Sequence, residues 1–350
     1  FAPATQGVVE SSSQLSMVQS GTLPCRPIGA GHAAPNTIVT NQDLESVVET
    51  DDEWIRTRTG SSQRRVLTQG ESLRDLGVEA SKQALEMAGI SAEDIDVVIC
   101  ATSSPEDMFG DATAIAAEIG CSKHTMAFDL TAACSGFLFA AITATQFLKA
   151  GSYKRAVVIG SDQLSSYVDW NDRRSCILFG DGAGAIAIEG TNELDNLIGF
   201  SMRTDGQRGS FLNLPSQNNQ DLIIDDINFA SGGFSSIKMN GQEVYKFAVR
   251  EVPLIIDNLF KKTNFNSEKI NWLLLHQANQ RILDSVGERL NVSSEKILSN
   301  LSNYGNTSAA TIPLMLDEAI RNKKIKENDI IATSGFGAGL SWGAALIRWG

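Results

Sequence analysis

Three side chains in this 350-residue sequence stand where nucleophilic chemistry could be done. In Asp129-Leu-Thr-Ala-Ala-Cys134-Ser-Gly-Phe-Leu-Phe-Ala-Ala an apolar run ends, a small-residue turn follows, and Cys134 opens a long apolar helix. A thiol at a helix N-terminus faces unpaired N–H groups and the positive end of the macrodipole, which favours thiolate and suits a nucleophile. Position alone serves a packed structural cysteine equally well. His276 closes the run Trp272-Leu-Leu-Leu275 and so sets a polar group at the mouth of a buried strand, where α/β sheets carry active sites; a satisfied core histidine is the plain alternative. Asn306 lies in Asn303-Tyr-Gly-Asn-Thr-Ser-Ala-Ala310, a turn opening another helix with Pro313 in its early part, a place that also suits a helix cap. The turn Ser334-Gly-Phe-Gly-Ala-Gly339 lets backbone N–H groups approach a ligand as an oxyanion hole requires, and would serve as well as a tight turn. Cys, His and Asn, each at a strand end or helix start, form a convergent set. No acid placed for general acid catalysis stands in these motifs.

The elements that must position them are legible as alternating β-branched runs and amphipathic stretches, an α/β pattern with buried strands. Strands are expected at Val97–Ala101, Met126–Leu130, Ala156–Ser161, Ala185–Glu189, Ile270–Leu275, Asp329–Thr333 and Ala344–Arg348. Leu73, Leu76, Ala80, Ala84, Leu85 and Ala88 fall at helical spacing before Gly89, which makes Ser72–Met87 a helix, and Gly241–Lys261 reads likewise. The second half repeats the first: Val97-Val-Ile-Cys parallels Leu273-Leu-Leu-His, Val157-Val-Ile-Gly parallels Ile331-Ala-Thr-Ser, and Gly182–Gly190 parallels Trp342–Gly350. Two copies of one βα unit would meet across a pseudo-twofold axis, with residues 25–195 carrying the cysteine and residues 196–350 the histidine and asparagine. Loops of both halves would converge on the site. Gly29-Ala-Gly31 and Gly180-Asp-Gly-Ala-Gly184 only half match a dinucleotide loop and lack its helix and acidic partner. The polar stretch around Asn218-Asn-Gln-Asp, within 211–237, reads as a mobile loop.

Composition narrows the partners. Forty-one acidic against 29 basic residues give a net charge of −12, so nucleic acid or an anionic membrane surface would meet net repulsion. No apolar run reaches the roughly 18 residues of a spanning helix. The five cysteines, Cys25, Cys100, Cys121, Cys134 and Cys176, are odd in number and hold no C-x-x-C pair, which speaks against a disulfide framework or a metal site. Residues 1–24, rich in Ser, Gln and Thr, read as a processed or disordered leader.

Six motifs in order carry a resemblance over about residues 25–350: Asp51-Asp-Glu-Trp-Ile-Arg-Thr-Arg-Thr-Gly60, Thr131-Ala-Ala-Cys-Ser-Gly-Phe137, Phe179-Gly-Asp-Gly-Ala-Gly184, His276-Gln-Ala-Asn-Gln-Arg-Ile282, Asn303-Tyr-Gly-Asn-Thr-Ser308 and Gly335-Phe-Gly-Ala-Gly339. The chain resembles the β-ketoacyl-acyl-carrier-protein synthases III among the thiolase-like condensing enzymes. The wording Ser104-Pro-Glu-Asp-Met-Phe-Gly110 and Tyr167-Val-Asp-Trp170 is similar to their plastid and cyanobacterial branch.

The resemblance implies a five-layered α-β-α-β-α fold, and an acyl transfer from acetyl-coenzyme A to Cys134 followed by decarboxylative condensation with malonyl-acyl carrier protein. No bound cofactor or metal is implied. Carried over residue by residue, it makes Cys134 the acyl acceptor and gives His276 and Asn306 the malonyl thioester carbonyl. Backbone N–H groups of Cys134, Gly337 and Ala338 would hold the oxyanion. It sets Trp54 and Arg173 about the coenzyme A adenine and Arg58 near its phosphates. Arg281, Lys246 and Arg289 would face acyl carrier protein, and Phe109 would line the acyl tunnel at the interface of a homodimer. Ser61-Ser-Gln-Arg departs from the family's Ile-Arg-x-Arg, and Asp172-Arg-Arg-Ser-Cys176 adds a charge at Arg174. The implied location is a plastid or plastid-derived organelle, with the cytoplasm of a bacterium as the alternative. Rival readings are a plant-type polyketide synthase extending from malonyl-coenzyme A, a hydroxymethylglutaryl-type synthase, which would want an acid near the nucleophile, a cysteine-dependent thioester hydrolase, and a silent carrier-protein module.

Overall fold

A computed structural model of the chain describes residues 23–217, 219–224 and 227–350; the greater part of the expected leader, and Asn218, lie outside the described residues. Nine strands form two sheets. The first takes β1 (Cys25–Ala33), β2 (Val97–Ala101), β3 (Met126–Leu130), β4 (Arg155–Gln163) and β5 (Asp181–Gly190) in the order β1-β5-β4-β2-β3. The second takes β6 (Leu197–Thr204), β7 (Trp272–Leu275), β8 (Ile330–Gly337) and β9 (Ser341–Arg348) in the order β7-β8-β9-β6. The expected repeat is visible in the pairing. β2 runs parallel to β4, then β5 and β1 follow antiparallel; β7 runs parallel to β8, then β9 and β6 follow antiparallel. The first sheet carries β3 as an additional parallel edge.

All seven expected strands are present, several of them longer at their ends, while β1 and β6 were not foreseen. β1 contains Pro27 and three small residues, Gly29, Ala30 and Gly31, which hide a strand signal. Those glycines serve close packing against the neighbouring helix. A Cβ on Gly31 would stand 2.2 Å from the carbonyl oxygen of Ala80, on the helix that crosses β1.

Helices supply the other three layers. α1 (Asp52–Thr59) stands beside the sheets, its first N–H groups capped by Asp51. α2 (Leu73–Ala88) and α3 (Ala112–Ile119) cover the outer face of the first sheet; α2 starts where Ser72 Oγ accepts from Asp75 N–H and stops at Gly89 with φ 66°. α4 (Gly136–Lys149) and α7 (Thr311–Arg321) lie between the sheets, and α5 (Gly241–Thr263) with α6 (Gln280–Arg289) cover the outer face of the second. α4 and α7 bury apolar residues over most of their surface, Phe137, Leu138, Ala140, Ala141 and Ala144 on one and Ile312, Leu314, Met315 and Leu316 on the other, as helices enclosed by sheets on both sides must. Within 211–237 the expected loop contains two antiparallel strands, Asn219–Ile224 and Ile227–Ser231. Among the described residues no helix is long and apolar enough to cross a membrane.

Candidate active site

Cys134 sits on a single turn, Ala133–Ser135, between β3 and α4. Ala133 takes φ 48°, and the Ser135 hydroxyl donates to Ala132 O at 2.7 Å, which closes the turn. The end of β8 presses on this turn from the other half. A Cβ on Gly337 would stand 2.8 Å from Cys134 Cβ and 2.9 Å from its backbone nitrogen, so only glycine fits. Ala338, one residue on, lines the cavity beside the thiol.

The expected thiolate is opposed by the structure. Cys134 is buried, and burial pushes its thiol up to about 12; a hydrogen bond from Ser308 Oγ to Sγ at 3.4 Å pulls the other way without prevailing. The helix N-terminus therefore meets a resting thiol.

His276 follows β7 directly, and its N–H continues the β7–β8 ladder onto Ser334 O at 2.9 Å. The ring stands edge-on to Phe336 at 5.1 Å, and Nδ1 lies 2.7 Å from Thr311 Oγ1 on the first turn of α7. Burial lowers its pKa from 6.5 to about 3, so the imidazole is neutral. Asn306 is held by the first half of the chain: its N–H donates to Leu178 O at 2.9 Å and its carbonyl accepts from Gly180 N–H at 3.0 Å. Its Oδ1 accepts from Ser308 N–H at 2.8 Å. Among the described residues no hydrogen bond occupies its Nδ2, which remains free to donate.

These three side chains share one chamber. A cavity of about 120 Å³ is lined by Cys134, His276, Asn306, Phe336 and Gly337. A second, of about 710 Å³, also includes Cys134 in its lining and is walled by Leu164, Tyr167, Phe179, Leu214, Ile237 and Phe109, among others. Phe109 contributes to that wall while its ring stands fully exposed, beside Met108 at 74% exposure.

Sequence reasoning missed three groups. Ser308, with φ 53°, is the polar neighbour of the thiol. Asp162, fully buried behind it, accepts from Ser103 N–H at 2.7 Å, Ser104 Oγ at 3.0 Å and Ala309 N–H at 3.1 Å, and burial raises its pKa. It lies in β4, far from the three motifs in sequence. Arg64, from the stretch that departs from the family pattern, is entirely buried and donates to Ile177 O at 2.7 Å and Asn41 Oδ1 at 2.8 Å. It braces the segment that holds Asn306, and burial lowers its guanidinium to about 10.

The outer residues divide. Trp54, on α1, is flanked by Arg58 and Arg173, whose guanidinium carbons stand 5.6 and 5.2 Å from the ring centroid. Arg173 also donates to Glu49 O at 2.9 Å. An adenine between Trp54 and Arg173 needs roughly 7 Å, twice a van der Waals spacing of about 3.5 Å, so Arg173 must swing aside before a base can enter. The added Arg174 is neutralised locally by Asp172 at 2.9 Å. Arg281 lies on α6 over Tyr245 at 5.8 Å, Arg289 is exposed at the far end of α6, and Lys246 on α5 pairs with Glu243 at 2.7 Å. Among the described residues no cluster of His, Cys, Asp or Glu could hold a metal.

Comparison with known proteins identifies the family. Residues 128–206 match the family described as 3-oxoacyl-[acyl-carrier-protein (ACP)] synthase III, and residues 260–349 match its C-terminal part. A β-ketoacyl-[acyl-carrier-protein] synthase III of Prochlorococcus marinus subsp. pastoris is 82% identical over 322 residues, 92% of this chain and 96% of that one. The crystal structure of 3-oxoacyl-[acyl-carrier-protein] synthase III from Aquifex aeolicus VF5 superposes with a TM-score of 0.85 at 38% identity, covering 93% of this chain and 100% of that one. The priming β-ketosynthase of the R1128 polyketide pathway gives 0.86 at 30% identity, covering 94% and 97%.

Proposed function

The chain belongs to the β-ketoacyl-[acyl-carrier-protein] synthase III family, and from that premise we propose how its own residues perform the condensation that initiates fatty acid synthesis. The enzyme is an acyltransferase whose substrates are an acyl-coenzyme A and malonyl-acyl carrier protein. The observation that carries the residue assignment is that Cys134 forms part of both cavities, the large apolar one and the small one it shares with His276 and Asn306. An acyl chain on the thiol then has an apolar space to fill while the malonyl carbonyl meets two polar side chains.

In the first step the Cys134 sulfur bonds to the thioester carbon, the coenzyme A sulfur leaves, and the thiol proton ends on it. Backbone N–H groups of Cys134 and the Gly337–Ala338 corner hold the oxyanion, a contribution of a few kcal/mol in comparable sites. In the second step the carboxylate of malonyl carrier protein leaves as carbon dioxide. Its bonding electrons form an enolate whose oxygen receives hydrogen bonds from His276 Nε2 and Asn306 Nδ2. The enolate carbon then bonds to the acyl carbonyl, the Cys134 sulfur departs with the bonding pair and takes a proton from solvent, and the product is a 3-oxoacyl carrier protein. His276 suits this role because it is uncharged: a neutral donor stabilises the enolate without adding a fixed positive charge for the substrate carboxylate to pair with.

Trp54, Arg58 and Arg173 are assigned to coenzyme A, with Arg173 moving off the Trp54 ring. Arg281, Lys246 and Arg289 are assigned to acyl carrier protein; all three lie on the neighbouring helices α5 and α6, cations on a chain of net charge −12. The exposed Phe109 and Met108 support a homodimer in which a second copy covers the open edge of the acyl cavity. For location we propose a plastid or plastid-derived organelle, with the bacterial cytoplasm as the alternative that cyanobacterial relatives supply. Mixing the protein with acetyl-coenzyme A and then malonyl carrier protein, with each product weighed by mass spectrometry, tests the reading. It expects an acetyl mass on Cys134 and then a 3-oxobutanoyl carrier protein. Acetate without condensation would mean a hydrolase, and condensation with malonyl-coenzyme A in preference to carrier protein would mean a polyketide synthase.

A further inference from the structure

His276 is neutral, so one ring nitrogen carries a hydrogen and the other does not, and the condensation depends on which. If Nε2 carries it, His276 can donate to the enolate; if Nδ1 carries it, a bare lone pair faces the chamber. Nδ1 meets one polar atom among the described residues, Thr311 Oγ1 at 2.7 Å. That hydroxyl has a single proton and two possible acceptors, Nδ1 and Ser308 O at 3.0 Å. Ser308 O already accepts the Thr311 backbone N–H. The 2.7 Å separation is the usual length for a hydroxyl donor, whereas 3.0 Å lies at the long end of the hydroxyl range. Thr311 is itself buried, on the first turn of a helix locked between the two sheets, so its oxygen is held in place.

We propose that Thr311 is a positioning residue: its hydroxyl donates to His276 Nδ1 and thereby keeps the hydrogen on Nε2, aimed at the enolate oxygen. The proposal rests on the assignment of His276 to the malonyl carbonyl, and it adds the group that makes this histidine a donor instead of a base. Phe336, edge-on to the ring, limits its rotation but has no atom that chooses between the nitrogens.

The chain has only three histidines, so a protein labelled with ¹⁵N-histidine gives three ring patterns, which His276→Gln assigns by subtraction. At neutral pH the wild-type protein should show His276 with Nε2 protonated and Nδ1 unprotonated and hydrogen-bonded. In Thr311→Val the Nδ1 signal should move towards that of a free pyridine-type nitrogen. Malonyl decarboxylation should drop by roughly 10- to 100-fold, the range for removing the partner that orients a functional histidine, with the change in kcat and little in KM. Thr311→Ser keeps the donor and should restore most of the rate. A wild-type spectrum with the hydrogen on Nδ1 would overturn the proposal, as would Thr311→Val decarboxylating at the wild-type rate. Should the valine variant fail to fold, the wild-type spectrum and the serine variant still decide, since a serine variant as slow as His276→Ala would also overturn it. Failure of the underlying assignment is seen separately, as His276→Ala that still decarboxylates malonyl carrier protein whatever the spectrum shows.

Discussion

Acid should act on this protein through His276 before it reaches most of the carboxylates. In the native state the imidazole resists protonation until about pH 3, whereas in the unfolded chain it titrates near 6.5. Between those values the unfolded state binds a proton that the folded state refuses, so stability rises with pH across that window and is lost as pH falls through it. From pH 7 to pH 5 the unfolded histidine goes from mostly neutral to almost fully charged, about 1.5 pH units below its own midpoint. At about 1.4 kcal/mol per unit this costs the fold about 2 kcal/mol. His276→Gln removes the titrating group while keeping a polar side chain of similar length. Urea unfolding of both proteins at pH 7 and pH 5 isolates the contribution, because every other titrating residue cancels in the comparison. The wild-type advantage over the variant should shrink by about 2 kcal/mol on going to pH 5. A difference that stays constant within about 0.5 kcal/mol would mean that the folded imidazole takes up the proton, and the neutral-donor account of the site would fall with it.

The buried thiol gives a second expectation: with a pKa near 12, alkylation of resting Cys134 by iodoacetamide should climb about tenfold per pH unit from pH 6 to pH 9, and a plateau below pH 8 would restore the helix-dipole thiolate. Asn306→Ala, like His276→Ala, should lose malonyl decarboxylation by about 10²-fold or more while acetylation of Cys134 falls far less; equal losses in both steps, with circular dichroism unchanged, would make His276 the base for the thiol. Gly337→Ala puts a methyl group 2.8 Å from Cys134 Cβ and should cost about 1–3 kcal/mol of stability together with most of the condensation activity, read by thermal melts and product mass. Arg281→Glu should raise the KM for malonyl carrier protein several-fold and flatten its salt dependence, with equal KM values across a salt series marking the arginine as a solvated face.

Much of the architecture is legible in the sequence because parallel, doubly covered strands are unbroken apolar runs: Val97–Ala101 and Trp272–Leu275 announce themselves. β1 does not, since the glycines that let α2 approach it also erase its pattern. The set Cys134, His276 and Asn306 is visible because each residue stands at a strand end or a helix start. What surrounds them is not. Asp162 is one acid at the end of a strand, and nothing in the local sequence marks Arg64 as a cation the fold closes over. The thiolate expectation failed for a related reason: helix position is written locally, whereas enclosure is a property of both halves together.

The contact of Gly335 and Gly337 with the Cys134–Ser135 turn has a consequence for how activity appears as the protein assembles. One partner belongs to the first sheet's chain and the other to the second sheet, separated by about two hundred positions along the backbone. Neither sheet alone can assemble the oxyanion hole proposed for Cys134, Gly337 and Ala338, whose parts meet only where the two halves touch. In a refolding time course helical signal should therefore return before catalysis, and turnover becomes a gauge of whether the two halves have docked in register.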